Sequence, residues 1–210
     1  GIDRLIQKID YYIEELLKAP KSEEEPVNRE EAMSSMTNEE RLIYYANEGD
    51  IESWNQWKRD YEEEKQNEGE YEELVDNRCV MSFDGTDLSD LDLSNADLEC
   101  VDLSGVNLSN ADLSYANLEQ VNLDNANIEG ADFSHANLEG AWMNDMKARG
   151  ADFSNANLEY AALHGDLVDI DLSDAKFGGH VCWLQGNLTN ADLSGAFLFN
   201  AIMNNSILKG

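Results

Sequence analysis

The feature that most constrains the fold is a period. In SNADLSYANLEQVNL (109–123), Leu113, Leu118 and Leu123 recur every fifth residue, each preceded by Asp or Asn and, one place earlier, by Ala or Val. A helix buries residues with a period near 3.6 and a strand with a period of 2. A period of five fits neither. Written in fives from residue 86, the chain gives TDLSD, LDLSN, ADLEC, VDLSG, VNLSN, ADLSY, ANLEQ, VNLDN, ANIEG, ADFSH and ANLEG. Eleven units in succession keep Asp or Asn at the second place and Leu, Ile or Phe at the third. A unit this short cannot bury its own apolar side, so copies must stack on one another as a solenoid.

The tandem A(D/N)Lxx motif resembles the pentapeptide-repeat proteins, and the resemblance spans roughly residues 81–210. It implies a mainly β fold: a right-handed quadrilateral β-helix with four pentads per coil. The third-place residue and the Ala two places before it would point inward, and the other three outward. Elementary packing agrees with this. Small and large inward side chains alternate, so a narrow interior fills without voids. Asn and Asp suit bends, because they hydrogen-bond the local backbone and tolerate unusual dihedrals. The β-helix is expected over 79–210 as about six and a half coils. At a strand-like spacing of about 4.8 Å they make a rod roughly 30 Å long.

The first 78 residues read as an α-helical region. IDRLIQKIDYYIEELLK places Ile2, Leu5, Ile6, Ile9, Ile13, Leu16 and Leu17 on one helical face, giving a helix near 2–18 that ends before Pro20. Residues 20–36, highly charged and with a second proline, read as a linker. Thr37 and Glu40 form a capping box for a helix near 38–48 that closes at Gly49. Asp50 is the expected N-cap of a helix near 51–66. Trp54 and Trp57 share a face of it and are expected to pack on the neighbouring domain rather than to form a partner groove. The segment EGDIESWNQWKRD is similar to a helical lead-in that often precedes such arrays.

Composition bounds the partners. The 210 residues carry a formal net charge of −30. That opposes direct contact with nucleic acid, whose phosphates require Lys and Arg, and with an anionic membrane surface. It favours a basic protein partner. Cys79, Cys100 and Cys182 are odd in number and widely spaced, so no disulfide framework is expected and a reducing compartment fits best. No run of 18 apolar residues and no signal peptide is found. The chain begins with Gly1 rather than Met, which reads as a fragment. The expected compartment is a bacterial cytoplasm, with delivery as an effector as the alternative.

Stacking residues 20 apart puts Asp92, Asp112, Asp132 and Asp152 in one outward column, continued by Asp171 and Asp192 after a register adjustment. Glu99, Glu119, Glu139 and Glu159 form a column on the next face. Two readings of the Asp column stay open: carboxylates bonded to the local backbone, or a binding surface. The Glu place is free in the motif, so its regularity points more directly to binding. Phe197, Phe199, Ile202 and Ile207 fall at outward places in the last coil and are expected to form an interface, with a homodimer through that coil as one outcome.

The register breaks once. One residue is lost near 164–169 and one gained near 178–185, around His164, His180, Cys182 and Trp183. A tolerated insertion and deletion is the simpler reading. A functional loop is the sharper one, although His180 and Cys182 alone do not make a zinc site.

No phosphate loop, nucleophile elbow or Cys/His set is present in the sequence. No catalytic residue, metal ligand or cofactor is therefore expected. The expected function is a non-catalytic binding or scaffold protein that presents a rigid acidic surface to a basic protein partner. The resemblance adds an alternative. Quinolone-resistance members of the family imitate B-DNA and occupy the DNA-binding saddle of DNA gyrase or topoisomerase IV. A second alternative is the partner-binding arm of a bacterial effector or signalling protein.

Overall fold

A computed structural model describes residues 33–67, 81–83, 85–179, 182–199, 201–203 and 206–209. The expected helix near 2–18, Cys79 and His180 lie outside the described residues.

The array is a right-handed β-helix of four flat sides. Its coils pair in parallel at intervals of 20 residues: Asp92 bridges Asp112, which bridges Asp132, which bridges Asp152. Each pentad donates in both directions. Leu93 N–H bonds the Asp112 carbonyl at 2.7 Å, and Asp112 N–H bonds the Leu91 carbonyl at 2.9 Å. The corner is closed locally, with Ala96 N–H on the Leu93 carbonyl at 3.0 Å. The residue before the closing Ala or Val takes a positive φ, as the third residue of a type II turn must. Asn95 (φ 61), Tyr115 (φ 60) and His135 (φ 60) are examples from one corner. The unusual dihedral therefore belongs to the fifth place. The Asp or Asn at the second place does the hydrogen bonding instead, so the two properties expected of Asn and Asp fall to different places of the pentad.

First- and third-place residues such as Ala116, Leu118, Ala131 and Phe133 are buried. Phe133 and Phe153, one coil apart, stack with ring centroids 4.7 Å apart and 2° between planes, which measures the rise per coil.

Two helices precede the array. Helix α1 (Asn38–Glu48) carries the Thr37–Glu40 capping box and closes on Gly49 at φ 65. Helix α2 (Ile51–Asn67) starts at Asp50, whose carboxylate accepts from Ser53 N–H at 3.4 Å. Met33, at the end of the segment read as a linker, is buried with Tyr45 and takes a hydrogen bond from Arg41 on its carbonyl. Trp54 is fully buried and meets Phe83 edge-on at 6.2 Å.

One side of the solenoid carries β1 (Met81–Ser82) and β2 (Val101–Asp102), then β3 (Trp142–Lys147), β4 (Ala162–Asp166) and, after β5 (Lys176–Phe177) elsewhere, β6 (Cys182–Thr189), and these last three longer strands run round its next corner. After β7 (Phe197–Leu198) come β8 (Ala201–Ile202) and β9 (Ile207–Lys209), which both pair with β6. The register break sits here. Met143 pairs Leu163, but Met146 pairs Gly165, so the lost residue falls at the β4 corner. Asn157 pairs Lys176 but Ala162 pairs Trp183, so two residues are gained before β6, and a second residue is lost at the Gly186 corner. Asp145 keeps the corner dihedral (φ 56), whereas Gly165 (φ 154) and Gly186 (φ 134) open it. A Cβ on Gly165 would lie 2.2 Å from the Met146 carbonyl oxygen, so the coils close up here only because this corner has no side chain.

Candidate interaction surface

The four sides differ in what they show the solvent. On the Asp face, Asp92, Asp112, Asp132, Asp152, Asp171 and Asp192 stack in one column, coil on coil. Each accepts the N–H of the Ser two residues on, at 2.8–3.0 Å. Asp92 also accepts the Ser94 hydroxyl at 2.7 Å. These are local turn bonds of the kind Asx residues make. The Asp192 carboxyl is held below the usual carboxylate range by the Ser194 backbone and side chain.

The same second place behaves differently on the two neighbouring faces. Asp87 is followed up the column by Asn107 and Asn127, and Asp97 by Asn117, Asn137 and Asn157. Their amides form ladders. Asn107 donates to Asp87 at 2.9 Å and Asn127 to Asn107 at 2.9 Å. On the other face Asn117 reaches Asp97 at 3.4 Å, Asn137 reaches Asn117 at 3.3 Å and Asn157 reaches Asn137 at 3.0 Å. An Asn can donate to the coil below, and an ionised Asp cannot. The ladders were missed in the sequence, although the D/N choice at the second place signals them once it is read column by column. The Asp face keeps a carboxylate where Asn would do the same turn chemistry without charge. At a 4.7 Å rise, neighbouring carboxylates repel by about 1 kcal/mol even in bulk water.

Glu99, Glu119, Glu139 and Glu159 occupy the fourth place of the next side, the Glu face, and are all half-buried. Two of them have structural contacts that the sequence reading did not anticipate. Asn117 donates to Glu99 at 3.1 Å and Asn157 to Glu139 at 3.4 Å. Beyond Glu159 this fourth-place column continues with Gly178 and Phe199, while the second-place column continues with Lys176 and Phe197.

Phe197 and Phe199 are 60% and 63% exposed and their rings stack at 6.1 Å. Ile207 is exposed, and Ile202 is half-buried on β8 beside Trp183 of β6. The four residues of the expected terminal interface therefore do not form one patch. The two phenylalanines continue the Glu face, and the two isoleucines belong to the sheet around β6.

Among the described residues no group of three or more His, Cys, Asp or Glu side chains is placed to hold a metal ion. His164 lies 3.1 Å from Asp145 in a solvent-exposed pair. Burial, then Glu99 beside it, pushes the Cys100 thiol above its ordinary pKa, which opposes nucleophile chemistry there. None of the described helices is long and apolar enough to cross a membrane.

Fold and repeat define a β-solenoid built from five-residue units. The family model of pentapeptide repeats matches residues 81–110 and 102–140 with eight copies, so this stretch of the array is built of pentapeptide repeats. No curated protein matches it. Among solved structures it is similar to a pentapeptide repeat protein from the Arabidopsis thaliana thylakoid lumen (26% identity, 46% of this chain, 64% of that one, TM-score 0.31). The chain thus spans about two thirds of the length of that protein. A pentapeptide repeat protein from the cyanobacterium Cyanothece 51142 is 23% identical over 66% of this chain and 96% of that one, TM-score 0.34. The plasmid-mediated fluoroquinolone resistance protein QnrB1 is 17% identical over 60% of this chain and 91% of that one, TM-score 0.31.

Proposed function

We propose that the protein is a non-catalytic binding scaffold that presents a rigid acidic surface to a basic protein partner, in a bacterial cytoplasm. One observation carries this reading. The Asp face holds a carboxylate in six successive coils, where the neighbouring faces turn to Asn after their first coil (Asn107 and Asn127, Asn117 to Asn157) and later carry Lys147 and Lys176. The turn bonds are available to either residue, so the charge is not explained by the turn. A fixed array of like charges attracts a basic surface over long range and then selects it by shape.

The test is binding to an oligoarginine peptide across a salt series, read by fluorescence anisotropy. Tight binding that weakens steeply with salt, and that is lost in Asp112→Asn/Asp132→Asn/Glu119→Gln/Glu139→Gln, supports the reading. Binding equal for the native chain and the fourfold variant sinks it.

The linear charge density favours a second reading. Two columns at a 4.7 Å rise place one charge per about 2.4 Å, against about 1.7 Å for duplex DNA. A DNA mimic directed at gyrase or topoisomerase IV would inhibit supercoiling by bacterial gyrase at low micromolar protein. Absence of inhibition at high concentration rejects it and leaves the protein-partner reading standing.

A further inference from the structure

Most of the large exposed apolar side chains among the described residues are gathered on one side of the rod. Six stand out: Tyr115, Tyr160, Trp183, Phe197, Phe199 and Ile207. Four of these six lie on the Glu face or its corners. Tyr115, stacked on His135 at 4.6 Å, stands at the corner shared with the Asp face. Tyr160 stands at the opposite corner, its ring over Gly179. Phe197 and Phe199 form the far end of the face itself. Both tyrosines take a positive φ, which costs a residue with a side chain and which Asn or Gly would accept more cheaply.

At the near end of the rod a helix caps the backbone edge of this side. Helix α2 lays Trp54, Asn55 and Lys58 on the first coil. Trp54 Nε1 donates to the Asp97 carbonyl at 3.0 Å, and Asn55 Oδ1 accepts Asp97 N–H at 2.8 Å. Lys58, 2% exposed, sets its ammonium 3.5 Å from the Asp97 carboxylate. These contacts cap the open edge of the coil, and the Lys58 ammonium, held also by Glu62 of its own helix at 2.6 Å, shows a cation accepted beside a carboxylate of this side.

We propose that the rest of the Glu face, from Glu119 to Phe199, docks a helical segment of a partner protein whose Arg or Lys side chains meet the glutamates and whose apolar anchor sits on Phe197 and Phe199. This rests on the basic-partner reading above and specifies where that partner binds. The geometry matches at two scales. Residues three or four apart on a helix advance about 4.5–6 Å, close to the 4.7 Å rise per coil, so one helical face can match one carboxylate per coil. Four coils separate Glu119 from Phe199, about 19 Å, which sets the anchor about 13 helical residues from the first matched cation. The exposed Lys176 lies between the two halves and selects against a cation in the partner at that point.

The probe is a fluorescein-labelled helical peptide of about 20 residues, with Arg at spacings of three and four and a Leu-Trp anchor about 13 residues from the first Arg. It is titrated against the full chain and compared with a scrambled peptide of equal composition. The native chain is expected to bind it at least about tenfold more tightly than the scramble. Glu119→Gln/Glu139→Gln is expected to cost about tenfold, whereas Asp112→Asn/Asp132→Asn, an equal change of charge one face away that acts through long-range attraction alone, costs about threefold. Phe197→Ser/Phe199→Ser removes the preference for the anchor without removing the salt dependence. Equal losses on the two faces, or equal binding of the scramble, overturn the docking strip while leaving the basic-partner reading intact. Sedimentation supplies the remaining arm. If the Phe pair proves to be buried between two copies and its replacement yields monomers with unchanged peptide affinity, the strip belongs to a second copy and the proposal fails. No binding of any cationic peptide defeats both readings.

Discussion

At one end of the solenoid the first coil meets α2; at the other the last coil meets nothing among the described residues. The difference shows in the same two kinds of group. At the α2 end the backbone edge of the Glu face is satisfied by side chains: Asn55 accepts Asp97 N–H and donates to the Asn95 carbonyl, and Trp54 donates to the Asp97 carbonyl. These bonds take the place of a preceding coil, and Trp54 seals the interior against Phe83. At the far end the inward residues Leu193, Leu198 and Met203 are half-exposed, although inward residues one coil earlier, such as Leu172 and Phe177, are fully buried. A solenoid needs polar satisfaction and apolar cover at each terminus, and here α2 supplies both at one end.

The sharpest way to break this contrast is at the seal. Trp54→Ala removes a fully buried indole and its hydrogen bond, and is expected to cost about 3–5 kcal/mol. In thermal unfolding followed by circular dichroism, Tm should fall by many degrees. A fall of only a degree or two would mean that α2 does not stabilise the array. Asn55→Ala isolates the polar half of the contact. It leaves one N–H and one carbonyl of the first coil without partners, and about 1–3 kcal/mol is expected. Asn55→Asp is the sharper probe: it keeps the acceptor for Asp97 N–H, loses the donor, and adds a charge near Asp97, so it should recover none of the loss. The opposite end should respond weakly. Leu198→Ala is expected to cost about 1 kcal/mol, against about 3 for Leu158→Ala, which occupies the fully buried inward place two coils below. Equal costs at the two leucines would show that the last coil is covered in solution.

The contrast between the ends also marks what the sequence makes legible. The inward places were readable because period five repeats one packing decision many times, and Leu113, Leu118 and Leu123 could not all be accidents. The capping box of α1 was readable because Thr37 and Glu40 act within one turn. The docking of α2 was only half readable. Trp54 and Trp57 announce a packed face, but nothing local says that Asn55 will replace a missing coil, because its partners lie 40 and 42 residues away. The amide ladders were hidden for a related reason. Asn117 and Asn137 look like ordinary motif variation until 20-residue spacing puts them in contact. Gly165 and Gly186 sit at the break in register, yet a glycine needed for close approach of two coils looks the same in a sequence as one needed for a turn.

The smallest expected effect concerns charge at the capped end. Asp87 begins a ladder and accepts from Ser89 N–H at 3.2 Å, the Ser89 hydroxyl at 2.7 Å and the Asn107 amide at 2.9 Å. Burial pushes its carboxyl up, but the bonds from Ser89 and Asn107 together push it down further, so its pKa is lowered on folding. A carboxylate whose pKa falls on folding stabilises the native state above its unfolded pKa, near 3.9, and that stabilisation is lost as pH falls through the lowered folded value. Asp87→Asn keeps the acceptor oxygen for Ser89 and Asn107 and removes only the ionisation. Solvent screening holds the difference between native chain and variant below about 1 kcal/mol. That difference should be constant from pH 7 to about pH 5 and shrink toward zero below pH 4, measured as the gap in Tm between the two proteins. A gap that widens on acidification would mean that repulsion from neighbouring carboxylates, rather than the bonds from Ser89 and Asn107, controls this end of the column.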